Sequence, residues 1–342
     1  MRALVFSSTL YPNPVSTKRL GTTLGIETSH FRILRNLVIS LFDMGGQQAY
    51  VDSYLDDRKG QVFKDVGAFV YVFDMGSSSE QDDDHDDGWD ADFRYWRDCV
   101  RLLSQHSPDA QAFCLLHKMD LVEASRRIDI YIQRVKELRV RAKELGMPSP
   151  PKCCGTSIWD ETLYRAWSKI VHSLIPSIAT LEANLTQFAK FTAATEAVIF
   201  ERKTCLVIAR SAEEALTGST QALKSRTASL SSHEVVQASN RPPPKRVTQE
   251  EELEELLDGY PPTEAERKSI LEKGQMHPER FEKISELVKN VRGSCALKLQ
   301  ADFRSLELRT ATFSAYLDVF TSDTYLLAIV ADPKVGKCRL EG

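Results

Sequence analysis

The segment Leu41-Phe42-Asp43-Met44-Gly45-Gly46-Gln47 gathers more usable chemistry than any other in these 342 residues. It closes an apolar run that begins near Leu37. A strand ending here delivers a carboxylate, two glycines and a carboxamide to the C-terminal edge of a sheet. Such a set suits a nucleotide switch: Asp43 can hold Mg²⁺ directly or through water, a glycine N–H can sense a γ-phosphate, and Gln47 can orient an attacking water. D-x-G-G is also an ordinary strand-to-loop turn, so other segments must decide.

Three do. His117-Lys118-Met119-Asp120 follows Ala112–Leu116, which reads as a buried parallel strand. In doubly wound sheets ligands sit beyond the strand C-termini. There the Asp120 carboxylate can accept two parallel hydrogen bonds from guanine, one from N1–H and one from the 2-amino group, a donor pair that adenine lacks. Lys118 can lay its alkyl stem over the base plane. The plain alternative is a solvated Lys/Asp pair capping a loop. Thr156-Ser157-Ile158-Trp159-Asp160-Glu161 closes another short strand and opens a helix. Its N–H groups, at Ser157 and Ile158, can meet a base carbonyl, and it is equally a helix-capping signature. Leu20-Gly21-Thr22-Thr23 precedes these motifs and offers a threonine hydroxyl as a further Mg²⁺ ligand.

In order, LGTT, SHFRILRNLVISLFDMGGQ, VYVFDM, Ser107-Pro108-Asp109-Ala110, HKMD and TSIWDETLYRAW resemble the Rag-type small GTPases of the RagA/Gtr family, across residues 1–210 and 278–333. His117, where most GTPases carry Asn, is a mark of that branch. The resemblance implies an α/β Ras-like G domain followed by an α+β roadblock/longin-like dimerisation domain. It implies GTP or GDP with Mg²⁺ as ligands, Thr23 and Asp43 at the metal, and Gly46 at the γ-phosphate. Gln47 would be the catalytic residue, with His117, Lys118, Asp120, Ser157 and Ile158 around the guanine. It also implies a heterodimer with a RagC/Gtr-like partner. A membrane scaffold complex would hold that pair on the vacuole or lysosome, where it signals amino-acid sufficiency to the target-of-rapamycin complex.

No G-x-x-x-x-G-K-[ST] phosphate loop occurs in the 342 residues. By resemblance that loop would directly precede Met1. Residues 3–10 then read as the remnant of the first helix, the first strand is expected to be missing, and a gap is expected between the strands near 38–42 and 68–74. After Asp332-Pro333 a roadblock-like domain would finish with another helix, so both ends read as clipped. Two readings stay open: a GTP-binding switch subunit, and a pseudo-GTPase without the phosphate loop that acts only as a dimerisation or scaffold module. A general metabolic α/β enzyme finds no Ser/His/Asp, Cys/His or paired-carboxylate set to support it.

The elements that must position these residues follow from pattern. Residues 30–42 read as two strands around Arg35-Asn36, residues 48–66 as a helical second switch, and 67–74 as a buried strand. The polar stretch 77–92 (SSSEQDDDHDDGWDAD) reads as a disordered acidic insertion without EF-hand spacing. Helices are expected over 93–105, 126–145 and 162–174, giving a first domain over 1–176. The second domain, 177–333, reads helix, two strands, helix, three strands, interrupted by a disordered insertion over 211–276 with at most a short acidic helix at 249–257. The length fits two domains, and 42% hydrophobic residues suffice for packed cores. A net charge of −4 makes no electrostatic case for nucleic acid or an anionic membrane, and no apolar run reaches transmembrane length. A peripheral vacuolar location would therefore come through partners. Seven cysteines, none in C-x-x-C, read as reduced cytoplasmic thiols.

Overall fold

The computed structural model describes residues 2–6, 26–34, 37–44, 62–76, 87–212, 256–261, 268, 279–295, 303–310 and 313–331. The chain divides into two units, one of Met1–Ile175 with Leu253–Leu287, the other of Pro176–Glu252 with Val288–Gly342.

The first unit is built on a six-stranded sheet: β1 (Arg2–Phe6), β2 (Ile26–Leu34), β3 (Leu37–Met44), β4 (Val66–Asp74), β5 (Gln111–His117) and β6 (Lys152–Thr156), in spatial order β2-β3-β1-β4-β5-β6. Only β2 runs antiparallel, paired with β3 in a hairpin; β3, β1, β4, β5 and β6 are parallel. The near-continuous apolar runs of β4 and β5 follow from this, because a central parallel strand is covered on both faces.

The expected gap in the sheet is closed. Residues 2–6, which overlap the helix remnant expected over 3–10, form a strand between β3 and β4, with Val5 opposite Asp43 and Phe6 opposite Tyr71. An open slot there would leave two rows of backbone donors and acceptors unpaired in the middle of the sheet. Ala-Leu-Val-Phe is short, apolar and ends in two residues that favour strands, so it satisfies them. The residues that follow β1, from Ser7, lie outside the described residues, as does most of the expected second switch.

Helices cover both faces. On one side Trp96 and Val100 of α1 (Asp87–His106) and Tyr131 and Leu138 of α2 (Arg127–Glu144) join Phe69, Phe73 and Leu116 in a single buried cluster. On the other, α3 (Thr162–Leu174) buries Leu163, Ala166 and Ile170 and lies along β4, β5 and β6. The first helix begins six residues before its expected start, inside the acidic stretch assigned to the 77–92 insertion. Trp89 anchors it: its ring lies 4.7 Å from Phe73, Arg134 stacks 4.3 Å above it, and its Nε1–H donates to Glu137 at 3.2 Å. Asp90 in that first turn suits a helix N-terminus. Buried Ser107 fastens the entry to β4, accepting from Val66 N–H at 2.9 Å and donating to the Phe63 carbonyl at 2.7 Å.

The stretch 211–276 is not wholly an interruption of the second domain, because residues from Leu253 group with the first unit. Leu256 is buried in the first unit's core, and Leu257 and Tyr260 pack against it. A Leu-Leu-x-x-Tyr set has apolar area to bury despite its charged surroundings, and that burial offsets the ordering cost.

The second unit has helix α4 (Ile178–Thr192) and a five-stranded antiparallel sheet of β7 (Glu196–Glu201), β8 (Val207–Arg210), β9 (Ser305–Arg309), β10 (Ser314–Val319) and β11 (Thr324–Val330), in order β8-β7-β11-β10-β9. Helix α5 (Arg280–Ser294) starts within the first unit and ends within the second. Among the described residues no helix is long and apolar enough to cross a membrane.

Candidate nucleotide site

The parallel strands bring the predicted residues to one edge. Asp43 lies at the C-terminal end of β3, Asp74 at that of β4, His117 at that of β5, and Thr156 at that of β6. Register sets Asp74 beside His117 and His117 beside Thr156. Asp43 and the HKMD motif thus lie at the same C-terminal edge of the sheet, with β1 and β4 between their strands. Thr23, Gly46 and Gln47 lie outside the described residues.

The HKMD motif is tightly built. His117 is buried, and its Nδ1 lies 3.0 Å from the Thr156 hydroxyl, which ties β5 to β6. Burial, reinforced by the neighbouring Lys118 cation, pulls the His117 pKa below its usual value, so the ring is held neutral. Lys118 takes a left-handed backbone conformation at φ 62°, which turns the chain sharply into the short 3-10 helix Met119–Leu121. Its Nζ donates to Asp74 Oδ2 at 2.5 Å. The next carboxylate, Asp120, accepts from the Ser157 hydroxyl through Oδ1 at 2.6 Å. Two of the predicted motifs, HKMD and TSIWDE, therefore meet through direct side-chain hydrogen bonds.

The loop after β6 differs in detail from its sequence reading. The Ser157 N–H, one of those offered to a base carbonyl, donates to Thr162 Oγ1 at 2.8 Å. Ser157 Oγ also accepts from Trp159 N–H at 3.1 Å. The helix start is served by Asp160, whose Oδ1 accepts from the Thr162 N–H at 2.9 Å. Glu161, the residue at the N-cap, makes no side-chain cap bond, so the expected cap is replaced by this local Asp160 turn.

Sequence reasoning missed the turn after β4. Met75 N–H donates to the His117 carbonyl at 2.9 Å, and Asp74 Oδ1 accepts from Gly76 N–H at 2.9 Å. A Cβ at Gly76 would come within 2.6 Å of Leu121 Cδ1. The VYVFDM run carries the family resemblance, but its Asp74 gives no local signal of a partner on another strand.

Among the described residues no group of three or more His, Cys, Asp or Glu could hold a metal ion. Mg²⁺ asks for less than that, since it keeps several waters and takes one or two carboxylates beside phosphate oxygens. Asp43, half-buried at the strand end, is the right donor type in the right place for it.

A parallel sheet with a left-handed Lys turn, a held carboxylate and an Asp-x-Gly-Gly-Gln strand end fits a Ras-like G domain. The chain matches the Gtr1/RagA G protein conserved region over residues 1–288. It is similar to Ras-related GTP-binding protein A of Dictyostelium discoideum, 35% identical over 335 residues, covering 98% of this chain and 86% of that protein. It is likewise similar to GTP-binding protein gtr1 of Schizosaccharomyces pombe, 36% identical over 335 residues, 98% of this chain and 85% of that protein. A more distant likeness is to GTP-binding protein GTR2 of Saccharomyces cerevisiae, 25% identical over 189 residues, 55% of this chain and 51% of that protein. The chain belongs to the Gtr1/RagA family of G proteins.

Proposed function

We propose that this chain is the guanine-nucleotide-binding subunit of a Rag/Gtr heterodimer that signals amino-acid sufficiency to the target-of-rapamycin complex at the vacuole or lysosome. The observation that carries the reading is the Asp120 carboxylate, fixed through Oδ1 by Ser157 at the C-terminal edge of a parallel sheet. A carboxylate held there accepts from guanine N1–H and the 2-amino group. Lys118, restrained by Asp74, lays its stem against the base. Buried neutral His117 keeps β5 and β6 in register beneath it.

On the phosphate side, Asp43 and Thr23 would hold Mg²⁺, Gly46 would follow the γ-phosphate, and Gln47 would orient the attacking water. Mg²⁺ supplies neutralisation of the charge that develops on the transferred phosphoryl group. An activating partner would be needed for fast turnover, as the sequence offers no arginine finger of its own. The second unit, with edge strand β9 and the exposed Phe191 and Phe320, supports pairing with a partner domain of roadblock type. The similarity to proteins named for GTR2 supports a partner of that kind. Membrane recruitment would run through a scaffold complex.

Binding of fluorescent guanine nucleotides to the full chain, with ATP as competitor, tests the reading. The expected result is displacement by GTP and GDP and none by ATP. Equal competition by ATP, or no guanine binding at all, overturns it. The latter result favours the dimerisation-module reading, which draws on the absence of Gly-Lys-[Ser/Thr] after β1.

A further inference from the structure

Strand β6 is the outer strand of the first unit's sheet, so the outward-facing half of its backbone groups has no neighbouring strand. Part of that edge is capped by a stretch of chain about a hundred residues away. The Gly155 N–H donates to the Gly259 carbonyl at 3.1 Å. The Tyr260 ring packs against Tyr131 of α2, tilted by 50° with ring centres 4.9 Å apart, and Tyr131 in turn donates to the Cys153 carbonyl at 3.2 Å. Lys169 of α3 donates to the Asp258 carbonyl at 2.8 Å and to its carboxylate at 3.0 Å. Leu256 is 4% exposed within the core. The fit at Gly259 leaves no room, because a Cβ there would lie 1.6 Å from the Cys153 carbonyl oxygen and 2.8 Å from the Tyr131 hydroxyl.

Gly155 is two residues from Ser157, which holds Asp120, and one from Thr156, which holds His117. We propose that Leu256–Pro261 is a positioning segment for base recognition: by capping the outer edge of β6 it fixes the Thr156–Ile158 loop and, through Ser157, the carboxylate that reads guanine. The recognition step itself rests on the function proposed above. Gly259 and Tyr260 touch no nucleotide in this account and act through β6.

The test uses the full chain and three variants. Gly259→Ala drives a methyl into a backbone carbonyl that cannot yield, Tyr260→Ala removes the ring packing, and Tyr260→Phe keeps the ring. Hydrogen exchange at residues 152–158 and the preference for GDP over IDP, which lacks the 2-amino group, are measured on each. A merely structural lesion weakens both nucleotides alike, whereas a displaced Asp120 lowers their ratio. We expect Gly259→Ala and Tyr260→Ala to speed exchange at Gly155–Ser157 by about tenfold or more and to reduce the GDP/IDP preference severalfold, with Tyr260→Phe unchanged in both. Unaltered exchange in both disruptive variants overturns the proposal, as does faster exchange with an intact GDP/IDP ratio. If the parent chain binds no guanine nucleotide, the function reading falls on its own. Exchange at 155–157 still decides whether the segment positions the loop, faster exchange upholding that role and unaltered exchange ending it.

Discussion

At Asp120 a single atom separates two base preferences. Asp120→Asn keeps the shape and turns one carboxylate oxygen into an amide donor. Guanine then loses an acceptor for its donor pair, while xanthine gains a partner for its 2-carbonyl. GTP affinity should fall by about 10- to 100-fold, the range for losing hydrogen bonds to a charged group, and xanthosine triphosphate should gain. Competition against fluorescent GDP measures it, and an unaltered preference removes Asp120 from base reading. His117 makes a different kind of claim. Its folded pKa lies below the unfolded value of about 6.5, chiefly because it is buried. The unfolded chain therefore takes up the proton first as pH drops. Its stabilising contribution is complete above pH of about 7, declines below about 6.5, and stops declining once the pH has passed the lowered folded pKa. The slope is at most about 1.4 kcal/mol per pH unit for one proton. Urea denaturation at pH 7.5 and 5.5 should show the loss, and His117→Asn should flatten it.

Among the elements, the start of α5 is held to α3 by charge. Arg165 lies 3.2 Å from Glu282 and 3.6 Å from Glu279, and both carboxylates are nearly buried. Arg165→Met strands two buried acids and should cost about 3 kcal/mol, read as a lower urea midpoint for the first unit. Adding Glu279→Gln and Glu282→Gln to that variant should recover part of the loss. The same scale shows what a sequence reader can and cannot see. The strands β3 to β6 were legible because each is an apolar run closed by a residue of distinctive chemistry: Asp43, Asp74, His117, Thr156. Helix α3 was legible to its last residue, since an apolar stripe and Pro176 bound it. Arg2–Phe6 was not, because four apolar residues after an arginine have no period to read, and the slot between β3 and β4 decides their state. Trp89 was lost in a run of aspartates whose composition argued for disorder, although one buried indole outweighs it. Leu256–Pro261 was hidden in the same way. At the site, the residue types were readable from motifs, but the Asp74–Lys118 and Ser157–Asp120 contacts join positions 44 and 37 residues apart. No local pattern encodes such pairs.

For the molecule as a whole, the expectation concerns assembly. Co-expressed with a Gtr2-like relative, the chain should elute as a 1:1 heterodimer, with light scattering giving the summed mass. Persistence of separate monomers would count against the partner assignment. A more private property follows from the sulfur atoms buried in the first unit. Cys99, Cys114, Cys153 and Cys154 are all buried in the first unit, and burial lifts the Cys154 thiol to about 12 and moves Cys99 and Cys114 upward as well. Only a thiolate attacks an electrophile at useful speed, and a reagent must also reach the sulfur, so burial alone shelters all four in the intact molecule. An alkylating reagent added near neutral pH should consume Cys295 early and these four at the pace of transient opening. Mass spectrometry of the adducts would then turn the chain into its own stopwatch, with Cys153 and Cys154 timing how often the outermost strand comes loose.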